Sequence, residues 1–445
     1  MLKKILPRPA VSCLRFIKNL PKALYEQYLI HTQPRLHRKA ADRLRKKEGP
    51  INVVFFAIFK SVWKYDSLYK LLEADERFRP IVLVCPRVNF GREEMLQTLN
   101  ECYHDFKARG YNVLCAYDVE SDSYIDARSL EPDIIFYTNP YPGLIDDRYY
   151  ITHFRDVLTC YVNYSYNTIK YQWGNALCFH KILWRYFCEE PRLCQLAARY
   201  QNVNKTNCVV SGYPTYDDFL FGSKTGKDWK KMSPKLKRII WAPHHTIETA
   251  DLDSFIQFST FFQYAYFMQE MAKKYEHTVQ FVFKPHPLLK SKLYKHPDWG
   301  QEKTEAYYDW WLNGETTNYV SGDYTDLFNS SDALIHDCAS FTIEYLYTQK
   351  PVMYLSAFNH LSQLNEVAKE AFSCHYIAEN RKEIEEFIEN TVIKGIDPML
   401  KQRKSFYNKN LIPPNNKTVA ENILHEICAS VPIKQKNNIS SLFYL

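Results

Sequence analysis

"SDALIHDCASFTIEYLYTQKPVMYL", residues 331–355, sets an apolar run, Ala333-Leu334-Ile335, directly against His336-Asp337-Cys338-Ala339-Ser340. A stretch with helical character follows, and then a second short apolar strand, Pro351-Val352-Met353-Tyr354-Leu355. A buried strand that hands over to a helix through small and polar residues is the junction of a parallel α/β sheet. Such junctions make anion sites, because the first amides of a helix lack intrahelical partners and carry the positive end of its dipole. Ser340 and Thr342 can add hydroxyl donors there, and small Ala339 lets a ligand approach the backbone. Glu344, about one turn on, can accept from a sugar hydroxyl. Taken by itself the junction reads more simply as a helix start capped by Asp337 or Ser340.

The rest of the chain shifts that balance. From residue 51 strand and helix patterns alternate: Ile51–Phe59 is a nearly continuous apolar run, as a parallel strand covered on both faces requires. Strand patterns recur at Ile81–Cys85, Asn112–Tyr117, Asp133–Tyr137 and Thr159–Val162, and Cys208–Leu220 runs from a strand into a Gly-Tyr-Pro turn. The alternation restarts at Lys237–Thr246, followed by a helix over Phe255–Tyr275, a strand at Thr278–Pro287 and further strands at Asn318–Ser321 and Cys374–Ala378. The spacing predicts two doubly wound parallel-sheet domains facing a cleft, over residues 49–225 and 226–415, with Lys227–Lys237 as linker. Residues 416–445 form a closing helix and tail that can reach back to the first domain.

Three strands of the second half end in polar clusters: Pro243-His244-His245-Thr246, Lys284-Pro285-His286-Pro287 and the opening junction. In an open parallel sheet ligands bind beyond the carboxyl ends of the strands, so all three clusters belong to one edge. Lys284 supplies positive charge, and the prolines on either side of His286 hold its backbone and aim its ring. A histidine there can act as acid toward a leaving phosphate or hold it as imidazolium. His244, His245, Lys284, Asp337, Ser340, Thr342 and Glu344 are therefore candidates for holding a diphosphate at this edge, and His286 is the candidate catalytic residue. The neighbouring His244 and His245 side chains are expected to point apart, and no spaced carboxylate joins them, so no metal is expected. A Walker loop and G-x-G-x-x-G are both absent, which disfavours a P-loop ATPase or an NAD enzyme.

The 445 residues carry a net charge of +7, distributed unevenly. Residues 1–48 hold thirteen Lys and Arg against three acids, so the remainder is slightly negative. This is a basic arm on a near-neutral body. Leu14, Phe16, Ile17, Leu20, Leu24 and Tyr28, among scattered Lys and Arg, suggest an amphipathic helix lying on an anionic membrane surface. The alternatives are an arm packed on its own body or left in solvent; nucleic acid is not an expected partner. No segment approaches the ~20 apolar residues that a membrane-crossing helix needs. Twelve cysteines stand as singles with no C-x-x-C pair, which predicts reduced thiols and no zinc site.

The motifs "SGYPTYDDFLF", "RIIWAPHHT", "FVFKPHP" and "DLFNSSDALIHDCASFTIEYLYTQKPVMYL" stand in the order and spacing of the CDP-glycerol:poly(glycerophosphate) glycerophosphotransferases, which the chain resembles over residues 205–360. The resemblance implies a GT-B fold and a donor site for CDP-glycerol or a related CDP-alditol in the second domain, with no cofactor. His286 matches the family's Lys-x-His-Pro histidine, which contacts the donor pyrophosphate. Asp337 and Ser340 match the acid and second serine of its Asp-Tyr-Ser-Ser motif, and Glu344 falls near its ribose-side acid. Cys338-Ala339 replaces Tyr-Ser, however, and residues 160–175 lack the family's Trp-His-Gly histidine, the base toward the acceptor. His153 or His180 is the substitute the sequence offers.

The implied activity is transfer of an alditol-phosphate from a nucleotide-activated donor to a glycan or lipid-linked acceptor. It would take place at the cytoplasmic face of the membrane, in making a teichoic-acid-like or capsule polymer. Two other readings stay open: a GT-B glycosyltransferase using a nucleotide sugar, and an inactive GT-B-like binding protein at the membrane surface.

Overall fold

In the computed structural model the described residues are 8–89, 91–170, 176–201, 207–222, 224–231, 235–247, 258–356 and 364–431, with side chains described from residue 21 on. Seven strands make the first sheet: β1 (Ile51–Ala57), β2 (Phe78–Val84), β3 (Val113–Cys115), β4 (Ile134–Tyr137), β5 (Leu158–Val162), β6 (Arg185–Cys188) and β7 (Cys208–Val210). They pair in parallel in the order β3-β2-β1-β4-β5-β6-β7. Every residue of β1 is buried. Val53 and Phe55 enter one core while Val54 and Phe56 enter the other, the period-two alternation of a sheet covered on both sides.

The second sheet comprises β8 (Lys237–Ala242), β9 (Val279–Phe283), β10 (Thr317–Tyr319), β11 (Ala333–His336), β12 (Val352–Leu355) and β13 (Tyr376–Ala378). Its order is β10-β9-β8-β11-β12-β13, again parallel throughout. In each sheet the order reverses once, between β1 and β4 and between β8 and β11, which opens a crevice at the carboxyl ends. β6 is the strand that sequence patterning misses: it has four residues and lies in an apolar stretch that reads equally well as helix.

Contacts between the domains come from the carboxyl ends of strands on both sides. The Lys64 ammonium, beyond β1, donates to the Tyr324 hydroxyl beyond β10 at 2.9 Å. Tyr213, beyond β7, donates to Glu344 beyond β11 at 3.0 Å. Asn365, beyond β12, donates to the Asn167 carbonyl beyond β5 at 2.7 Å. The two carboxyl edges therefore face each other.

The chain's flanks complete the first domain. The closing helix Val419–Ser430 places Val419, Ala420, Ile423 and Ile427 in the core that contains Leu68 and Leu72. Asp217 seats it by accepting from the Val419 and Ala420 amides at 2.8 and 2.9 Å. The arm is a helix, α1 (Arg8–Lys46), and its second half packs inward through Leu29, Ala40, Ala41 and Leu44. Gln33 of α1 accepts from the Arg155 guanidinium at 2.9 Å and donates to the Arg155 carbonyl at 2.8 Å. This half of the arm is thus part of the body, while Leu24 and Tyr28 are 64% and 59% exposed. The side chains of Leu14, Phe16, Ile17 and Leu20 lie outside the described residues. Within the expected linker Trp229 is buried and donates to Ser330 at 2.9 Å, so that stretch forms a wall of the second domain.

The second domain also buries two histidines with no evident ligand role, His336 and His375, their ring centroids 5.5 Å apart. Desolvation holds His336 well below its ordinary pKa and pulls His375 down to about 3. Both are neutral in the fold, whereas the unfolded chain protonates them near pH 6.5. Stability is therefore full above that pH and is lost on acidification, by about 2 kcal/mol for each at pH 5. The urea midpoint is expected to fall accordingly between pH 7.5 and 5; an unchanged midpoint contradicts this.

Candidate active site

The three polar clusters meet at the carboxyl edge of the second sheet. Past Ala242 the chain leaves the extended conformation, so the alternation that would send His244 and His245 apart no longer applies. Contrary to that expectation, their ring centroids lie 4.3 Å apart, and the His286 ring completes a cluster at 5.1 Å from His244 and 4.1 Å from His245.

The hydrogen bonds around these rings say which nitrogen carries the proton. Nδ1 of His286 accepts from the Leu288 amide at 3.1 Å, and Nδ1 of His244 accepts from the Thr246 amide at 3.3 Å. A neutral ring that accepts at Nδ1 holds its proton on Nε2. His244 and His286 therefore present N–H donors at their far nitrogens. Donors suit anionic oxygens, whereas a metal requires a free lone pair on that atom, so the donor set fits a phosphate better than a cation. Desolvation first, then the neighbouring imidazoles and Lys292, holds His244 and His286 well below the ordinary histidine pKa. Burial and Lys292 pull His245 down to about 4.

Lys284 stands at the end of β9, two residues before His286 and almost fully buried. Its ammonium donates to the Gly322 carbonyl at 2.9 Å, and burial, opposed by Asp323, brings its pKa down to about 8. It remains a cation at neutral pH.

The opening junction divides its labour differently from the sequence reading. Asp337 is fully buried and accepts from the His244 amide, from the Thr260 amide at 2.6 Å and from the Thr260 hydroxyl at 2.9 Å. Burial pushes its carboxyl up to about 7 against those donors. It is a positioning residue: it fixes the histidine loop and the start of helix Phe261–Lys274 to the end of β11. Thr342 is likewise turned inward, donating to the Cys338 carbonyl at 3.3 Å.

The helix after the junction is one turn, Phe341–Glu344, continued by a 3-10 turn, Tyr345–Thr348, which is shorter than its apolar pattern suggests. Ser340 is half-buried and its hydroxyl does not cap the turn, so of the two hydroxyls it is the one left to a ligand. Glu344 is buried and accepts from the Tyr166 amide, the Tyr213 hydroxyl and the Tyr324 hydroxyl. Instead of a sugar hydroxyl it holds tyrosines from both domains together. Lys350, of the Lys-Pro step, closes helix Thr325–Ser330 by donating to the carbonyls of Phe328, Asn329 and Ser331.

On the first domain neither substitute base reaches the cleft. His180 lies in helix Cys178–Ile182, which leads into the amino end of β6, and its carbonyl accepts from Asn207 just before β7. His153 is exposed on the turn Ile151–His153 that precedes β5. Both sit at the amino edge, away from the donor cluster. Residues 171–175, the end of the stretch expected to hold the missing histidine, lie outside the described residues. Among the titratable groups that do stand at the carboxyl edge is Glu189, directly beyond β6. The sequence signal was there in "YFCEEP", a strand ending on two acids, and it was hidden because β6 itself was missed.

The family model of the CDP-glycerol:poly(glycerophosphate) glycerophosphotransferases matches residues 186–427, which include every second-domain residue discussed above. No curated protein matches the sequence. Among solved structures, the wall teichoic acid polymerase TagF superimposes with a TM-score of 0.56 at 11% identity, covering 94% of this chain and 97% of that one. The UDP-GlcNAc 2-epimerase from Neisseria meningitidis bound to UDP-GlcNAc gives 0.53 at 11%, covering 85% and 100%. The MnaA–UDP co-structure from S. aureus gives 0.51 at 14%, covering 88% and 99%. These likenesses show the fold, two parallel α/β sheets of the GT-B type.

Proposed function

The chain belongs to the CDP-glycerol:poly(glycerophosphate) glycerophosphotransferase family, and on that premise we propose that it moves a glycerol-phosphate, or a related alditol-phosphate, from a CDP-activated donor to a hydroxyl of a cell-surface glycan or lipid-linked acceptor, releasing CMP. The observation that carries this reading is the cluster of three neutral imidazoles, with two N–H donors turned away from their own backbone, beside a buried lysine. Such a set can gather the oxygens of a diphosphate without a metal.

The mechanism follows from that geometry. The acceptor hydroxyl attacks the alditol-bearing phosphorus; a new O–P bond forms as the bond to the bridging oxygen breaks, and the electron pair leaves on CMP. His286 and Lys284 face charge that grows on the leaving phosphate, and the low dielectric of the buried edge strengthens both interactions. An arriving dianion also raises the pKa of the adjacent imidazole, so more of His286 carries the second proton that a general acid must give up. Ser340 adds a hydroxyl at the mouth. Binding in a closed cleft fixes attack geometry, which supplies much of the remaining help.

We further place the enzyme peripherally on the cytoplasmic face of an anionic membrane. The support is the exposed Leu24, Tyr25 and Tyr28 on the outward half of a basic helix, together with the absence, among the described residues, of any helix long and apolar enough to cross a bilayer.

The test is CMP release from CDP-glycerol, CDP-ribitol and several nucleotide sugars, with membrane extract as acceptor, and sedimentation with phosphatidylglycerol vesicles read on the same preparation. CMP from a CDP-alditol, dependent on acceptor, is the expected result. Nucleoside diphosphate released from a sugar donor would make the protein a glycosyltransferase, and turnover of no donor would leave a binding protein.

A further inference from the structure

The donor edge explains how CMP can leave but not where the acceptor's proton goes. Glu189 answers that. It follows Cys188, the last residue of β6, and is 6% exposed. One of its oxygens, Oε1, accepts from the Asn163 side-chain amide at 2.7 Å and from the Asn167 backbone amide at 3.1 Å. Asn163 is in turn fixed by the Tyr186 hydroxyl, which donates to its Oδ1 at 2.9 Å. The second oxygen, Oε2, takes no hydrogen bond from any other of the described residues. A buried carboxylate held by an oriented amide, with one oxygen spare, is the arrangement of a base with its orienting partner.

The loop that holds Glu189 also touches the donor domain. Three residues beyond Asn163, the Tyr166 amide donates to Glu344, and Asn167 accepts from Asn365. The loop that fixes this carboxylate is thus held against the second domain, which carries the donor cluster.

We propose that Glu189 is the general base of the transfer, taking the acceptor hydroxyl's proton on Oε2 as that oxygen bonds to phosphorus. The assignment rests on the phosphotransferase reading above. Atoms balance: the proton passes to the carboxylate, the electron pair of the broken P–O bond leaves with CMP, and Glu189 returns the proton to water.

The surroundings suit a base that works near neutrality. Burial pushes the Glu189 carboxyl up to about 7, opposed by the Asn163 and backbone donors and reinforced by Glu190. The other titratable neighbours facing it are the hydroxyls of Tyr166, Tyr186 and Tyr347, all held protonated by burial. Glu190 is engaged by Arg192 at 3.1 Å and by the Leu193 amide at 2.8 Å, so it is committed to starting the next helix.

The experiment uses the full chain with whichever CDP-alditol it turns over. Glu189→Gln is expected to lower acceptor-dependent CMP release by about 10²–10³-fold, with donor affinity, read by calorimetry, within twofold of wild type. The wild-type rate should rise through pH 7 to a plateau, and the Gln variant should lose that rise. Glu189→Ala should recover part of the rate with added formate, which a merely structural carboxylate would not allow. The assignment is overturned if Glu189→Gln stays within threefold of wild type, or if it loses donor affinity in parallel and keeps the wild-type pH profile. Should wild type release CMP from no CDP-alditol, the phosphotransferase reading itself fails, an outcome distinct from a wild type that works and a Gln variant that keeps pace.

Discussion

Replacing His286 with alanine is expected to lower CMP release by about 10²–10³-fold while leaving the fold in place. The magnitude is that of removing one donor from a preorganised anion site, where the interaction strengthens as charge develops. The fold should survive because, among the described residues, the ring's one hydrogen bond is an acceptance from the Leu288 amide, at a position open to water. An amide so placed exchanges one acceptor for another at little cost. His245→Ala is the informative companion: its ring packs at a tilt against His286, but its Nδ1 has no partner among the described residues. A much smaller loss there would separate the donating ring from the one that supports it. Steady-state CMP release with both variants settles the matter, and an undiminished rate in His286→Ala would remove this histidine from the chemistry.

Asp337→Ala is expected to have the largest effect on stability, about 3–5 kcal/mol. The carboxylate serves two amides and a hydroxyl that have no other acceptor among the described residues, and each buried donor left unpaired costs about 1–3 kcal/mol. Asp337→Asn should fall only modestly short of this, since its amide would turn an N–H toward donors that need an oxygen. Urea unfolding of both variants checks the values. Were Asp337 instead a ligand for the donor, Asn would leave the midpoint intact and weaken CDP-alditol binding alone.

These two residues show what the sequence makes legible. That His244, His286 and Asp337 would come to one edge followed from strand alternation, because in a parallel sheet the end of each strand is fixed by its apolar run. Which way each side chain turns did not follow. His244 and His245 were expected to diverge by strand rules, but both lie past the last paired residue, where the pleat no longer applies. Asp337, Thr342 and Glu344 carry the residue types of a binding site, yet each was spent on internal donors or acceptors that only three-dimensional packing supplies. His153 and His180 were reasonable substitutes by type, and the topology puts them at the wrong edge. Glu189 escaped notice because a four-residue strand gives periodicity too little room to declare itself.

The closing helix has a consequence for how the molecule is made. Val419–Ser430 fills a core whose other walls, around Leu68 and Leu72, are laid down more than three hundred residues earlier. During synthesis the second domain emerges complete while the first still lacks this wall, so it is nested inside an unfinished neighbour. Until helix Val419–Ser430 has emerged from the ribosome, the apolar face waiting for it stays open to whatever is nearby, including the same face of another nascent chain.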